Sequence, residues 1–456
     1  IFRQYDVRGI VERDLTPDVA RTLGRAYAAF LAERGVTSGA VAVGRDNRPS
    51  GHALRDGLVD GLTGCGFDVI DVGVVPTPLL YWSLFHEDVV GAIQITGSHN
   101  PPQYNGFKLC VGKTSIHGDE IQHLYELAVG GRFPSGQGRV AEHAILERYV
   151  ADVVERTGRL SRPLRVIADY GNGVGAVVGP QLLEALGARV THLFAESDGT
   201  FPNHHPDPTV VDNLTDIIAA VKREGADLGV AFDGDADRIG LIDDKGGIVW
   251  GDHILILYAR DVLARTGTGQ PIIFDVKCSQ ALPDAIRSAG GQPIMWKTGH
   301  SLIKEKMKET RAPIAGEMSG HMFFSEGFYG HDDALYGAAR LLRIVADSGK
   351  SVSELLSDVP HFVSTPELRV DVPEERKFGI VADAVAYFRA RYDVVDVDGV
   401  RVLFGDGWGL IRASNTQPVL VMRFEARTEE RLAAIRAEME SWLIAQGVDP
   451  TPGVGH

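Results

Sequence analysis

Cysteine is scarce in this chain of 456 residues, with only Cys65, Cys110 and Cys278. Their wide separation excludes the close thiol pairs of a zinc or redox motif and predicts reduced thiols in a cytoplasmic protein. Long apolar runs are missing too. No stretch approaches the ~20 residues of a membrane-crossing helix, and no signal peptide is visible, so no membrane partner is expected. Basic charge is in deficit: 46 Lys and Arg against 61 Asp and Glu give a formal charge of −15. That excludes a general nucleic-acid binder but leaves room for a local basic pocket around a small anion. The chain begins at Ile1 rather than Met, so a short preceding leader is expected. What is present, 44% hydrophobic and 23% charged residues, is ordinary for a globular enzyme. The length is too great for one core and predicts about two to four domains.

One unit recurs three times. Val41-Ala-Val-Gly-Arg-Asp46 reads as a strand, followed by a helical stretch (Leu54, Leu58, Leu62), a stop at Gly64-Cys-Gly66 and a strand over Phe67 to Val72. Arg165 to Asp169 starts a second copy, with a helix from Gln181 to Leu186 and a strand from Arg189 to Phe194. Pro271 to Asp275 starts a third, with a helix from Ala281 to Ser288 and a strand from Gln292 to Trp296. Each is a βαβ unit, and together they predict three related α/β domains with mixed, largely parallel sheets. After Pro360 the pattern changes to alternating strands (Glu367–Val372, Val394–Val397, Val400–Phe404, Gly409–Arg412, Val419–Phe424) and two helices, Lys377–Arg391 and Glu429–Gln446. That predicts a C-terminal α+β domain of roughly 95 residues with a loose Pro/Gly-rich tail. The expected division is 1–145, 146–247, 248–360 and 361–456.

Several strings carry chemistry. Thr96-Gly-Ser-His-Asn-Pro-Pro102 ends an apolar run, Val89 to Ile95, and its prolines forbid an immediate helix. Ser98 and His99 therefore sit on a tight loop at a strand end, although an ordinary turn accounts for this string by itself. Asp233-Gly-Asp235-Ala-Asp237-Arg238 lies between apolar strands, with three carboxylates at i, i+2 and i+4 on one side of an extended segment. Their repulsion calls for a hard divalent cation, Mg²⁺, with phosphate oxygen and water completing its shell. An EF-hand fails because Arg238 stands where glycine is required and the flanks are strands. A solvated acidic turn remains the bland alternative. Gly171-Asn-Gly173-Val-Gly-Ala176 satisfies a dinucleotide-binding spacing, with Glu196 about twenty residues on. Pro180 falls where the crossover helix should already run, which favours a structural turn. Gly112-Lys113-Thr114 fails as a P-loop because Phe107 occupies the required glycine position.

Gly316-Glu317-Met318-Ser319-Gly320-His321 groups a carboxylate, a hydroxyl and an imidazole between glycines, suited to sugar hydroxyls but equally to a polar loop. Lys277 and His300 follow the two strands of the third unit and should face one crevice. Arg412-Ala-Ser414-Asn415-Thr416 supplies a cation, two hydroxyls and an amide in one turn, which suits a phosphate dianion; a β-turn without ligand fits as well.

In this order, the four strings resemble the α-D-phosphohexomutase superfamily, in its bacterial phosphomannomutase/phosphoglucomutase branch, and the similarity runs from Phe2-Arg-Gln-Tyr-Asp-Val-Arg-Gly9 to Phe424. The resemblance implies four domains around a central cleft, the last mobile and TATA-binding-protein-like. It also implies that Ser98 carries the phosphate, that Asp233, Asp235 and Asp237 with phosphorylated Ser98 hold Mg²⁺, and that Tyr5, Arg8, Lys108, Arg238, Lys277 and His300 are active-site positions. Ala236 departs from the family, which has glycine there, and puts that residue's backbone angle in question. The implied chemistry moves a phosphate reversibly between C1 and C6 of a hexose through a hexose 1,6-bisphosphate. His99 and Lys108 are candidates for proton transfer, Lys108 only if burial or positive neighbours lower its pKa. Arg412, Ser414, Asn415 and Thr416 would hold the idle phosphate, and Glu317, Ser319 and His321 would read the sugar. Glucose and mannose phosphates are the expected partners of a monomer or weak dimer. A phosphoglucosamine mutase is the nearest alternative, and kinetics with glucosamine phosphate would separate the two. A phosphatase, a catalytically silent sugar-phosphate-binding protein and an NAD-binding dehydrogenase lie further off.

Overall fold

Four sheets, each with its own helices, divide the computed structural model, which describes residues 1–415 and 417–451. In the first, parallel strands Ala40–Arg45, Asp68–Val74 and Gly91–Ile95 are extended by antiparallel Tyr104–Val111 and Val7–Ile10. The helix Pro17–Glu33 starts at Thr16, whose hydroxyl accepts the Val19 N–H at 3.3 Å, with Pro17 in its first turn. It crosses helix Gly51–Thr63 closely enough that a Cβ on Gly57 would lie 2.1 Å from the Pro17 carbonyl oxygen. That contact accounts for a glycine that helix propensity disfavours.

The second sheet orders Ile248–Val249, Ile239–Ile242, Leu228–Phe232, Arg165–Asp169 and Arg189–Leu193, the last three parallel. In the third, Gln292–Trp296, Pro271–Asp275 and Ile314–Gly316 are parallel and Met322–Phe324 closes antiparallel. The mixed α/β character predicted for these units is present. Their apolar faces merge: helix Thr77–His86, Leu-rich and buried along nearly its whole length, packs into one continuous core with Tyr149, Leu182, Tyr258 and Leu342. Each large side chain so buried stabilises the assembly by about 1.5–3 kcal/mol. The fourth sheet is wholly antiparallel, and helices Glu374–Arg389 and Glu429–Ala445 cover it with a core of their own.

The third βαβ unit keeps its predicted limits, and the differences elsewhere are local. The second unit's helix runs Gly179–Ala185, two residues ahead of the expectation, because Pro180 fits its first turn. The helix expected at Lys377 starts at Glu374, with Pro373 at its cap and Glu374 and Glu375 favouring its N-terminus. The strand expected over Gly409–Arg412 spans Gly407–Ala413, drawn out by pairing with Val419–Ala426. The strand leading to Ser98 starts at Gly91 rather than Val89.

Candidate active site

Strand Gly91–Ile95 delivers Ser98 with its backbone at φ +50°, a left-handed angle that is unfavourable by roughly 1–2 kcal/mol for a residue with a Cβ. Its N–H donates to Thr96 Oγ1 at 2.8 Å, and its Oγ lies 3.1 Å from His99 Nδ1 and 3.3 Å from Asp233 Oδ2. Opposite, the loop between strands Leu228–Phe232 and Ile239–Ile242 folds over the Asp233 carboxylate. Asp233 Oδ1 accepts the N–H groups of Asp237 and Arg238 at 3.0 and 3.1 Å. Closing this turn puts Ala236 at φ +57°, so the methyl group is accommodated in a left-handed conformation.

Asp233, Asp235 and Asp237 are buried, and each offers an oxygen, all three within 4.8 Å of one another. Asp235 Oδ2 receives Thr77 Oγ1 at 2.6 Å, Thr96 Oγ1 at 3.3 Å and Lys108 Nζ at 2.9 Å. Its Oδ1 has no partner among the described residues. A buried carboxylate oxygen without a partner, in an all-oxygen anionic set, fits a hard divalent cation. Burial, with Asp237 and Asp235 beside it, pushes the Asp233 carboxyl well above its usual range, a shift that a bound cation would reverse.

Lys108 stands among these aspartates, touching Asp235 and, more closely, Asp237. Burial alone would lower its pKa, but Asp235 and Asp237 outweigh that and raise it well above the ordinary value. The condition under which Lys108 could serve as a base is therefore not met; here it is a fixed ammonium. His321 joins the 316–320 loop to the 233–238 loop, with Nε2 3.0 Å from Asp237 Oδ1 and Nδ1 2.8 Å from Glu317 Oε2. Burial opposes its charge, yet Asp237 and Glu317 hold it as an imidazolium, pushed up to about 10. Glu317 Oε1 accepts the Gly299 N–H at 2.6 Å. Despite burial, the Glu317 carboxyl is held down to about 2 by His321, Gly299 and Lys277. Both of its oxygens are engaged, but each keeps a second lone-pair direction for a ligand hydroxyl. Ser319 Oγ lies 3.3 Å from His321 Nδ1 and Arg238 Nε 3.3 Å from His321 Nε2.

His99 and His300 are neutral. Burial, helped by Arg238 and Arg8, drives His99 well below its ordinary pKa. Burial and Lys304 push His300 down to about 3, with its Nδ1 3.6 Å from Asp332 Oδ2. A neutral His99 leaves Nδ1 able to accept a hydrogen bond from the Ser98 hydroxyl, while its lowered pKa disfavours its holding an extra proton.

The N-terminal segment and the last domain close the site from the other side. The Tyr5 hydroxyl donates to the Thr298 carbonyl and accepts from Asn415 Nδ2, both at 2.9 Å, and so spans three sheets. Arg8 pairs with Asp6 at 2.5 Å and, with the Asn100 amide turned oxygen-first, donates to Asn100 of the Ser98 loop at 2.7 Å. Lys277 Nζ meets Glu367 at 3.0 Å, and Arg412 Nε meets Asp398 at 3.0 Å. Ser414 Oγ accepts the Gln417 N–H at 3.2 Å. Thr416 lies outside the described residues. The remaining sequence-derived positions converge on one region, although they come from all four sheets.

The glycine-rich string at 171–176 is packed against protein. A Cβ on Gly173 would lie 2.9 Å from the Gly234 carbonyl oxygen, and the Val174 N–H donates to that same oxygen at 3.0 Å. It buttresses the 233–238 loop, in keeping with its reading as a structural turn. Sequence reasoning missed Thr77, Lys304 and Asp332. Thr77 begins an apolar helix and carries no motif; His331-Asp332-Asp333 ahead of helix Ala334–Ser348 was a readable acidic signal. Lys304 Nζ meets Asp332 Oδ1 at 3.1 Å.

Comparison with known proteins assigns the same regions. Four models of the phosphoglucomutase/phosphomannomutase family match: α/β/α domain I over residues 1–132, domain II over 147–247, domain III over 250–362 and the C-terminal domain over 367–441. The phosphomannomutase/phosphoglucomutase of Pseudomonas aeruginosa is 48% identical over 446 residues, 98% of this chain and 96% of that one. A phosphoglucomutase of Neisseria meningitidis is 46% identical, covering 97% of this chain and 96% of its own. The crystal structure of a phosphoglucomutase/phosphomannomutase family protein from Burkholderia thailandensis superposes with a TM-score of 0.92 at 43% identity, covering 98% of this chain and 99% of that one. With all four of its domains matched in order, and whole-length relatives near half identical, this chain belongs to the phosphoglucomutase/phosphomannomutase family of intramolecular phosphate-transferring enzymes.

Proposed function

We propose that this enzyme interconverts hexose 1-phosphate and hexose 6-phosphate, for both glucose and mannose, through phosphorylated Ser98 and a hexose 1,6-bisphosphate. The observation that carries the reading is Ser98 Oγ lying 3.3 Å from a carboxylate of a buried three-aspartate cluster. Asp233, Asp235 and Asp237, with an oxygen of the Ser98 phosphate, would hold Mg²⁺, which supplies neutralisation of the charge that develops during transfer.

The free hydroxyl of a hexose monophosphate attacks the phosphorus on Ser98. The hydroxyl loses its proton as the new O–P bond forms, the bond to Ser98 Oγ breaks, and Oγ takes up a proton, so the step is proton-neutral overall. His99 Nδ1, neutral and 3.1 Å away, suits accepting a hydrogen bond from the serine hydroxyl so formed. After the bisphosphate turns over, its other phosphate returns to Ser98. Lys108 and Arg238 supply fixed positive charge. Arg8, Lys277 and Arg412, with Tyr5, Ser414, Asn415 and Thr416, would hold the non-reacting phosphate, while Glu317, Ser319, His300 and His321 would line the sugar. The functional units divide near 145, 248 and 361, in a cytoplasmic monomer or weak dimer.

Intact-protein mass spectrometry should find one added phosphate, mapping to Ser98. Ser98→Ala should lower mutase kcat at least about a thousandfold with hexose 1,6-bisphosphate present. Phosphate on another residue, or full activity in the variant, overturns the assignment. Hydroxyls placed alike in the two substrate orientations should be read, so C2 epimers should be accepted together. A kcat/KM preference above about a thousandfold between the C2 epimers, the scale of a site that reads that hydroxyl directly, would sink the dual specificity.

A further inference from the structure

We propose that Arg48, backed by Asp46, is a positioning residue that fixes Ser98 for phosphoryl transfer. The proposal rests on reading Ser98 as the phosphoryl carrier. Arg48 has no exposed side-chain surface, and all five of its N–H donors are used. Nη2 donates to the carbonyls of Ser98 at 2.8 Å and Asn100 at 2.6 Å, and Nη1 to those of Pro101 at 2.7 Å and Tyr104 at 2.9 Å. Nε meets Asp46 Oδ2 at 3.1 Å. That same oxygen accepts Thr96 Oγ1 at 2.8 Å and the Gly97 N–H at 3.0 Å, while Thr96 Oγ1 accepts the Ser98 N–H. One guanidinium and one carboxylate thus satisfy the backbone on both sides of the serine.

These bonds do more than fill space. A trans peptide puts its C=O and the following N–H on opposite sides. Drawing the Ser98 carbonyl onto Arg48 therefore turns the His99 N–H away from it, and with the Ser98 N–H held by Thr96 Oγ1 the peptide groups on both sides of the left-handed Ser98 are fixed. The fork lies flat on the loop: a Cβ on Gly97 would be 2.5 Å from Arg48 Cζ. From the far side, the Phe201 ring covers it at 5.1 Å, and a Cβ on Gly199 would be 2.5 Å from the Arg48 Cα. Arg48 touches no substrate position, so its effect is on where Ser98 stands. A lysine, with one nitrogen and three donors, cannot serve four carbonyls and a carboxylate at once.

Steady-state kinetics of Arg48→Lys, with kcat expressed per phosphorylated Ser98, test this without interference from misfolded protein. We expect kcat to fall by about a hundredfold, the scale of a 1 Å misplacement, with KM for hexose 1-phosphate within threefold because the Arg412 loop is untouched. A fall of at least tenfold confined to kcat supports positioning. A smaller fall, or a loss carried mainly by KM, overturns it. If Arg48→Lys does not fold, Asp46→Asn keeps the shape and removes the charge that anchors Arg48, and the same criterion decides. Wild-type protein that takes no phosphate on Ser98 fails the mutase reading itself, whatever the variants do.

Discussion

The Ser98 loop and the Arg412–Pro418 loop belong to the same site, but they are held in different ways. The first is built from inside: its carbonyls end on a buried guanidinium, its N–H groups on Asp46 and Thr96, and a metal-type aspartate cluster packs against it. The second reaches the other domains through few polar contacts: Asn415 donates to Tyr5, and Arg412 pairs with Asp398 of its own domain, whose carboxylate accepts the Thr298 N–H. Its domain has a core of its own and meets the third unit through a small apolar cluster of Val276, Trp408 and Leu410, whereas one large core runs through all three α/β units. A reacting group gains from rigid placement, while a loop that holds the idle phosphate, as proposed, gains from contacts it can exchange for ligand. The first loop should therefore govern kcat and the second KM.

The largest departure should come from the fixed side. Asp235→Asn removes the charge of the carboxylate whose Oδ1 has no partner among the described residues, and takes from Lys108 one of its two aspartate partners. Activity at saturating sugar phosphate should fall more than about a hundredfold, and the Mg²⁺ concentration for half-maximal rate should rise more than tenfold. Titration of activity with Mg²⁺ checks both. An unchanged half-maximal concentration would detach Asp235 from metal binding.

On the exchangeable side, Arg412→Lys keeps the charge and loses the planar fork. Charge-assisted hydrogen bonds contribute about 1.5–3 kcal/mol, so kcat/KM should fall roughly 10- to 100-fold. Most of that should appear in KM. A loss confined to kcat would break the proposed division of labour between the two loops.

Much of this was legible in the sequence because it rests on local chemistry. Strand, glycine and proline boundaries placed the Ser98, Asp233 and Glu317 loops, and three closely spaced aspartates announced the carboxylate cluster, although they converge through a turn closed at Ala236 and not along the extended segment expected. What could not be read depends on distant partners. Lys108 looked like a possible base until its neighbours proved to be Asp235 and Asp237, which fix its proton. Nothing local marks His321 as an imidazolium, because Glu317 is four residues away but Asp237 is in another domain. Arg48 reads as an ordinary polar residue after a strand, and only the return of the Ser98 loop over it reveals five directed bonds. Thr77 reaches Asp235 only because its helix is buried between domains.

The smallest effect is expected at Ala236, the metal loop's left-handed counterpart to Ser98 at φ +57°. Ala236→Gly relieves roughly 1–2 kcal/mol of backbone strain. Against that stand about 0.5–1 kcal/mol of added chain entropy in the unfolded state and about 0.8 kcal/mol for a buried methyl group. The methyl group does have a packing role: a Cβ on Gly175 would lie 3.1 Å from it, so the two residues are stacked closely. The opposing terms nearly cancel, and Tm should move by no more than about 3 °C in either direction. Since Asp233 still accepts the Asp237 and Arg238 N–H groups whichever residue sits at 236, kcat should stay within twofold. A tenfold loss in kcat at unchanged Tm would mean that the methyl group itself helps to aim the aspartates. The fixed half of the site would then depend on side-chain packing as well as on hydrogen-bonded backbone.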